Sequence, residues 1–123
     1  MSGDRGGKTV KSDETLFAIA ETLRQLNGAG VSEVARELDL AKSTVHAHLR
    51  TMETHDYAVK MDGEYRVGLE FLSMGVYARE QRRIYGETTE KLRELADDTQ
   101  EMASCVVEEN GYGWFIDRAT GRH

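Results

Sequence analysis

Two short amphipathic segments, joined by a very short link, constrain the fold of this chain more than any other feature. The first is "SEVARELD", beginning at Ser32, and the second covers residues 41–55. Their apolar side chains recur at helical spacing: Val34, Ala35 and Leu38 in the first, and Val45, Leu49 and Met52 in the second. The link "DLA" between them allows only a tight turn. The pattern therefore predicts two helices packed at an angle, with Ser32 as the N-cap of the first.

A longer helix precedes this pair. Its apolar face is formed by Leu16, Ile19, Leu23 and Leu26, with Phe17 and Ala20 beside them. Ser12 or Asp13 is the expected N-cap, and the acidic side chains of Asp13 and Glu14 suit the positive end of a helix dipole. The sequence "NGAG" at residues 27–30 is expected to end this helix.

A hairpin is predicted directly after the three helices. Large apolar residues occupy every second position in "YAVKM" and again in "EYRV", and Asp62-Gly63 separates the two runs. This dipeptide favours a two-residue turn because the turn requires positive φ. Three helices followed by a hairpin is the order of a winged helix-turn-helix, so the predicted fold is mainly α with a small β component.

Gly68 ends the hairpin, and "LEFLSMGVYAREQRR" returns to helical spacing. A further helical segment, "GETTEKLRELADDTQ", is expected to turn Leu92, Leu95 and Ala96 inward, and two strands are expected around Asn110-Gly111. The predicted organisation has four parts. These are a flexible leader (1–11), a winged helix-turn-helix (12–68), a linker and dimerisation helix (69–83), and the start of an incomplete second domain (84–123).

Charge is distributed unevenly in this acidic chain. The net charge is −6, yet residues 40–52 contain no Asp or Glu, the longest such run in the sequence. An acidic chain is not a general polyanion binder, so contact with DNA would need a local patch. Residues 1–68 contain 9 Lys and Arg against 11 Asp and Glu, which makes this part only relatively less acidic. The acidity also fits a high-salt cytoplasm.

The helix that carries this acid-free run is the candidate DNA-binding element, because an α-helix fits the major groove and carboxylates there would repel phosphates. Its outward side chains are short donors, cations and small groups, and the hairpin adds two cations. The candidate DNA-binding residues are Lys42, Ser43, Thr44, His46, Ala47, Arg50, Lys60 and Arg66. The same pattern is open to a plainer explanation, a solvated helix face that happens to lack acids, or a surface that binds another protein.

Other chemistries find little support in the sequence. His46 and His48 are two residues apart on a helix, about 200° around its axis, so they cannot chelate one metal ion. Cys105 is expected to be a small buried residue, and Trp114, Phe115 and Ile116 fit a sheet buried on both faces better than a ligand site. We expect no enzyme activity, no metal and no cofactor. With no apolar run near 18 residues and no signal peptide, a cytoplasmic location is expected.

The stretch from "VSEVARELDLAKSTVHAHLRTM" to "YRVGLEFLSMG" resembles the DNA-binding domain of the IclR family of transcriptional regulators. The resemblance is continuous over residues 12–82 and weaker over residues 84–123, which resemble the start of the family's α+β, GAF-like effector domain. Ser43-Thr44-Val45 matches the family's pattern, whereas Ala41 stands where the family usually has proline. Because alanine is also favourable there, the helix should survive.

The resemblance implies a homodimer, or a tetramer, that binds double-stranded DNA at a near-palindromic operator and senses a small-molecule effector through its C-terminal domain. Leu69, Leu72 and Val76 are the expected dimerisation residues. The apolar excess of the linker helix agrees with this role, and packing within one subunit is the alternative. The sequence identifies neither operator nor effector, and it does not distinguish repressor from activator.

Overall fold

The computed structural model describes residues 7–82, 91–96, 102–110 and 112–120. The chain forms two compact units, one ending at Met74 and one beginning at Gly75. The first unit contains three helices and a hairpin, in the order α1 (Lys11–Leu26), α2 (Val31–Leu38), α3 (Lys42–Thr54), β1 (Ala58–Met61) and β2 (Glu64–Val67). The winged helix-turn-helix prediction is confirmed.

The helix starts differ from the predicted caps. Val10 is the N-cap of α1, where Ser12 or Asp13 was expected, and Gly30 is the N-cap of α2 in place of Ser32. Neither helix has a side-chain cap hydrogen bond. Each helix begins one or two residues before the polar residue that was expected to be its N-cap. Lys11, assigned to the leader, is already helical.

The two turns between helices use left-handed residues. Asn27 after α1 and Asp39 after α2 have φ of 54° and 55°, a conformation that these short polar side chains tolerate. The backbone N–H of Gly28 donates to the Leu23 carbonyl at 2.9 Å, and that of Leu40 donates to the Ala35 carbonyl at 2.9 Å. These bonds satisfy carbonyls left open at the helix ends and turn the chain sharply into the next helix.

The helices enclose a core against the hairpin. The central apolar residues of α3, Val45, Leu49 and Met52, are buried as predicted. The buried cluster also contains residues from every other element of the first unit: Ile19, Leu23, Ala29, Val34, Ala35, Ala58 and Tyr65. The hydrophobic effect of this cluster fixes α3 by one side only.

The hairpin pairs in the predicted register, with Lys60 opposite Tyr65 and Met61 opposite Glu64. Asp62 and Gly63 form the turn with φ of 53° and 82°. Ala29 pairs with Tyr65 through two backbone hydrogen bonds, at 3.0 and 2.8 Å, and so extends this sheet. No local sequence pattern predicted this contact. Tyr65 is buried and belongs to the core cluster.

The helix α4 (Glu70–Glu80) follows the hairpin and contains no fully buried residue. Residues 91–96 are helical, with Leu92 and Ala96 buried, but Leu95 is exposed and the inward prediction for it is wrong. The strands β3 (Met102–Glu109) and β4 (Tyr112–Thr120) form the predicted antiparallel hairpin, with an irregularity between Cys105 and Val106. Residues 1–6 of the expected leader, and the remainder of the helix expected around residues 91–96, lie outside the described residues. In the described ranges, no helix is long and apolar enough to cross a bilayer.

The backbone conformation of Ala41 is compatible with proline. Ala41 is the N-cap of α3 with φ of −66°, which is the value a proline ring imposes. Ala41→Pro should raise the free energy of unfolding by about 0.4–1 kcal/mol, because the unfolded chain loses conformational entropy. Urea denaturation followed by circular dichroism measures this change.

Ala47→Pro is the matched control. Position 47 lies inside α3, where proline removes a hydrogen bond and should cost about 3 kcal/mol or more. A loss of stability in Ala41→Pro comparable to that of the control would contradict the described turn between α2 and α3.

Candidate nucleic-acid interface

The outward side of α3 is the candidate interface. Burial of Val45, Leu49 and Met52 turns the opposite side of the helix away from the core. All six residues predicted there are exposed: Lys42, Ser43, Thr44, His46, Ala47 and Arg50. Ser43, His46, Ala47 and Arg50 are spaced at i, i+3, i+4 and i+7, so they form one continuous stripe along the helix.

The electrostatics of α3 favour an anionic partner. Its first turn contains no acidic residue, and its N-cap, Ala41, offers no side-chain acceptor to the first backbone N–H groups. The positive end of the helix dipole is therefore open to a phosphate or another anion. Lys42 lies at this end, and Arg50 extends the positive charge two turns further along.

Two threonines on the same helix have their hydroxyl hydrogens committed to the backbone. Thr51 Oγ1 donates to the Ala47 carbonyl at 3.0 Å, and Thr54 Oγ1 donates to the Arg50 carbonyl at 2.9 Å. Each hydroxyl oxygen retains acceptor capacity. The side chains best placed to donate to a phosphate or base are thus those of the N-terminal two turns, from Lys42 to Arg50.

The two cations of the hairpin have different environments. Lys60 is exposed, and its Nζ lies 5.5 Å from the centre of the Tyr65 ring, within range of a cation–π contact. Arg66 is half-buried and its Nη2 lies 3.5 Å from Glu64 Oε1. Its side chain also packs over Gly28, where an added Cβ would lie 3.2 Å from Arg66 Cγ. Lys60 is therefore the more accessible of the two for a DNA backbone.

The histidines occupy separate sides of α3. His46 is exposed on the stripe, as expected. His48 is half-buried in a shallow groove of about 260 Å³ between α1 and α3, whose other lining residues include Ser12, Asp13 and Thr51. Among the described residues, no three His, Cys, Asp or Glu side chains converge as a metal site would require.

The predicted dimerisation residues are largely exposed. Leu69 and Leu72 are 79% and 61% exposed, whereas Val76 is half-buried. Met74 and Tyr77, which belong to the predicted apolar excess of the linker helix, add exposed apolar area on α4. On α1, Phe17 was placed beside the buried face by its spacing, yet it is exposed.

The second unit supplies a further correction. Trp114 is 55% exposed, so the expectation that it belongs to a sheet buried on both faces is wrong for this residue. In the described part of the chain, β4 pairs with β3 alone. The side chains of Cys105, Phe115 and Ile116 lie outside what the structure describes.

Three helices and a hairpin, with no acidic residue in α3 before Glu53, define a winged helix-turn-helix domain. Comparison with known sequences identifies its family: residues 16–61 match the IclR helix-turn-helix domain. The chain therefore carries the helix-turn-helix domain of the IclR family of transcriptional regulators, and the predicted resemblance is confirmed.

Relatives agree with this assignment. The chain is 30% identical over 94 residues to a probable HTH-type transcriptional regulator, ArcR, of Halobacterium salinarum, covering 76% of this chain and 36% of that protein. It is 29% identical over 101 residues to the HTH-type transcriptional regulator KdgR of Escherichia coli, covering 80% of this chain and 38% of that protein. The chain thus spans less than two-fifths of the length of these two relatives.

Solved structures share the fold. HmgR of Pseudomonas aeruginosa aligns with a TM-score of 0.70 and 23% identity, covering 93% of this chain and 50% of that one. IclR of Thermotoga maritima aligns with a TM-score of 0.69 and 21% identity, covering 92% and 45%. An IclR homologue of Microbacterium hydrocarbonoxydans, solved with 4-hydroxybenzoate, aligns with a TM-score of 0.56 and 19% identity, covering 85% and 46%.

Proposed function

We propose that this chain binds a near-palindromic operator as a homodimer, with the exposed stripe of α3 in the major groove. The observation that carries the proposal is the joint exposure of Ser43, His46, Ala47 and Arg50 on a helix whose other side is buried. An α-helix presented in this way fits the major groove of B-DNA, about 12 Å wide. The family assignment supports the same function.

The residues of the stripe suggest distinct roles. Lys42, Ser43 and Thr44, at the N-terminal end of α3, are placed to bind phosphate oxygens and set the register of the helix. His46 and Arg50 are placed to donate to base edges, and the Ala47 methyl group to contact a thymine methyl. Lys60, on the exposed side of the hairpin, extends the contact to a flanking phosphate. Arg66 has the same proposed role, after exchange of its Glu64 partner for phosphate.

We propose that α4 and the residue before it form the dimer interface. Leu69 and Leu72 expose apolar side chains at i and i+3, and Val76 continues the row at i+7. A helix with no fully buried residue and several exposed large apolar side chains needs cover, and a second copy of the helix supplies it symmetrically. Two recognition helices would then enter successive major grooves about 34 Å apart.

Control by a small molecule is the remaining part of the proposal. The 4-hydroxybenzoate bound to the Microbacterium homologue shows that a protein of this fold takes a small aromatic ligand. We infer that an effector acts on the part of the protein after α4, and that it alters the relative placement of the two recognition helices. The helical residues 91–96 and the β3–β4 hairpin are the described portions of that part.

Arg50→Ala tests the role of α3 on DNA. Since Arg50 is exposed, its removal leaves the core intact, and specific binding should weaken by about 1–3 kcal/mol if it contacts a base. Fluorescence anisotropy with a duplex selected from a random library, measured from low to molar salt, gives the affinities. Arg24→Ala is the control, because this substitution removes the same charge from α1. Arg24 pairs there with Glu21 at 2.7 Å.

The dependence of the affinity loss on DNA sequence shows whether Arg50 contacts a base or a phosphate. An equal loss on all sequences identifies Arg50 as a phosphate contact, and no loss on any sequence removes it from the interface. Affinity that does not fall as salt rises would favour the alternative, a surface that binds protein, since binding to DNA releases counterions.

Leu72→Glu tests the dimer. The carboxylate would be buried without a partner in the proposed seam, so the variant should be monomeric and should bind the operator more weakly. Sedimentation velocity measures the association state. Leu72→Met, which conserves apolar volume, should remain dimeric. A Leu72→Glu variant that sediments as a dimer would show that the seam lies elsewhere.

A further inference from the structure

The chain folds back on itself directly after α3. The backbone N–H of Asp56 donates to the Glu53 carbonyl at 3.1 Å, and that of Tyr57 donates to the Met52 carbonyl at 2.8 Å. Asp56 is in the left-handed region, with φ of 68°. The segment 56–57 is therefore fixed against the last turn of α3 by main-chain bonds.

The start of α4 is bonded to this same segment. The N–H of Gly68 donates to the Tyr57 carbonyl at 2.9 Å, and the N–H of Glu70 donates to the Asp56 carbonyl at 3.3 Å. A Cβ on Gly68 would lie 2.4 Å from the Asp56 carbonyl oxygen and 2.9 Å from the Tyr57 carbonyl carbon. Such a contact is impossible for any other residue without a backbone shift, so Gly68 permits the close approach of the two segments.

An aromatic pair closes the connection. The rings of Tyr57 and Phe71 lie 4.8 Å apart between centroids, at an interplanar angle of 71°. This is the edge-to-face arrangement that aromatic rings favour. Both side chains are half-buried and pack against the buried cluster of the first unit. The first turn of α4 is thus bound to the C-terminal end of α3 through backbone and side chains together.

We infer that Tyr57, Gly68 and Phe71 are positioning residues that set the spacing between half-sites accepted by the dimer. The inference rests on the proposed function, in which α4 pairs the subunits and α3 contacts DNA. If α4 defines the dimer axis, the separation of the two recognition helices is defined only when each α3 is rigidly joined to its α4. A loose joint would allow the same helices to reach half-sites at several spacings.

The test separates recognition of one half-site from discrimination between spacings. The half-site is first obtained by selection from a random duplex library with the unaltered chain. Affinities are then measured for a single half-site and for paired half-sites whose spacer varies in steps of one base pair. Phe71→Ala removes the ring contact and leaves the stripe of α3 unchanged.

The expected result is a change in spacing preference alone. In Phe71→Ala, the ratio of affinities between the best spacing and its neighbours should fall by about 2- to 10-fold, the value of one aromatic pair. Single-half-site affinity should stay within twofold. Tyr57→Phe is the control, because it retains both rings and should keep the preference of the unaltered chain.

Three results would overturn the inference. An unchanged spacing preference in Phe71→Ala shows that the joint does not set the spacing. A parallel loss of single-half-site affinity and helical circular dichroism shows that Phe71 only supports the fold, and Phe71→Leu, which keeps apolar volume without the ring, checks this independently. Failure of the unaltered chain to bind any duplex removes the proposed function itself, a result distinct from the other two.

Discussion

Burial of one side of α3 is the interaction on which the rest of the structure depends. Val45, Leu49 and Met52 are almost completely inaccessible to solvent, and each contributes about 1.5–3 kcal/mol by leaving water. Because a helix is rigid, fixing these three side chains also fixes the direction of the opposite stripe. The domain therefore presents Ser43, His46, Ala47 and Arg50 outward as a consequence of that burial.

The acidity of the chain makes that stripe informative. The chain has a net charge of −6, yet α3 presents cations, hydroxyl groups and a methyl group, and its first turn has no carboxylate. Binding would depend on this restricted area rather than on overall attraction. Few cations also mean few counterions released, so the proposed complex would be less sensitive to salt than one formed by a strongly basic domain.

The sequence predicted what local patterns determine. The spacing of Val45, Leu49 and Met52 established the buried side of α3, and Asp62-Gly63 established the hairpin turn. Long-range packing could not be predicted in the same way. The backbone pair between Ala29 and Tyr65 joins residues far apart in the chain, and no local signal marks it.

In the candidate site, too, local patterns were predictable and long-range contacts were not. Helical periodicity predicted the exposure of His46 and Arg50, because both lie outside the stripe formed by the buried residues of α3. It did not predict that Arg66 packs over Gly28 beside Glu64, since the turn after α1 approaches the hairpin only in the folded domain. Nor did it predict the close approach at Gly68. Glycine is required there because a Cβ would lie 2.4 Å from the Asp56 carbonyl oxygen.

The central claim, that the outward stripe of α3 lies in a DNA groove, is tested most directly at the Ala47 methyl group. Ala47 is exposed on the stripe, Ala35 is buried in the core and Ala78 is exposed on α4. With alanine methyls labelled for NMR, a duplex selected from a random library should shift the Ala47 resonance strongly and leave that of Ala35 nearly unchanged. A duplex that binds tightly but shifts Ala78 and not Ala47 would contradict the account.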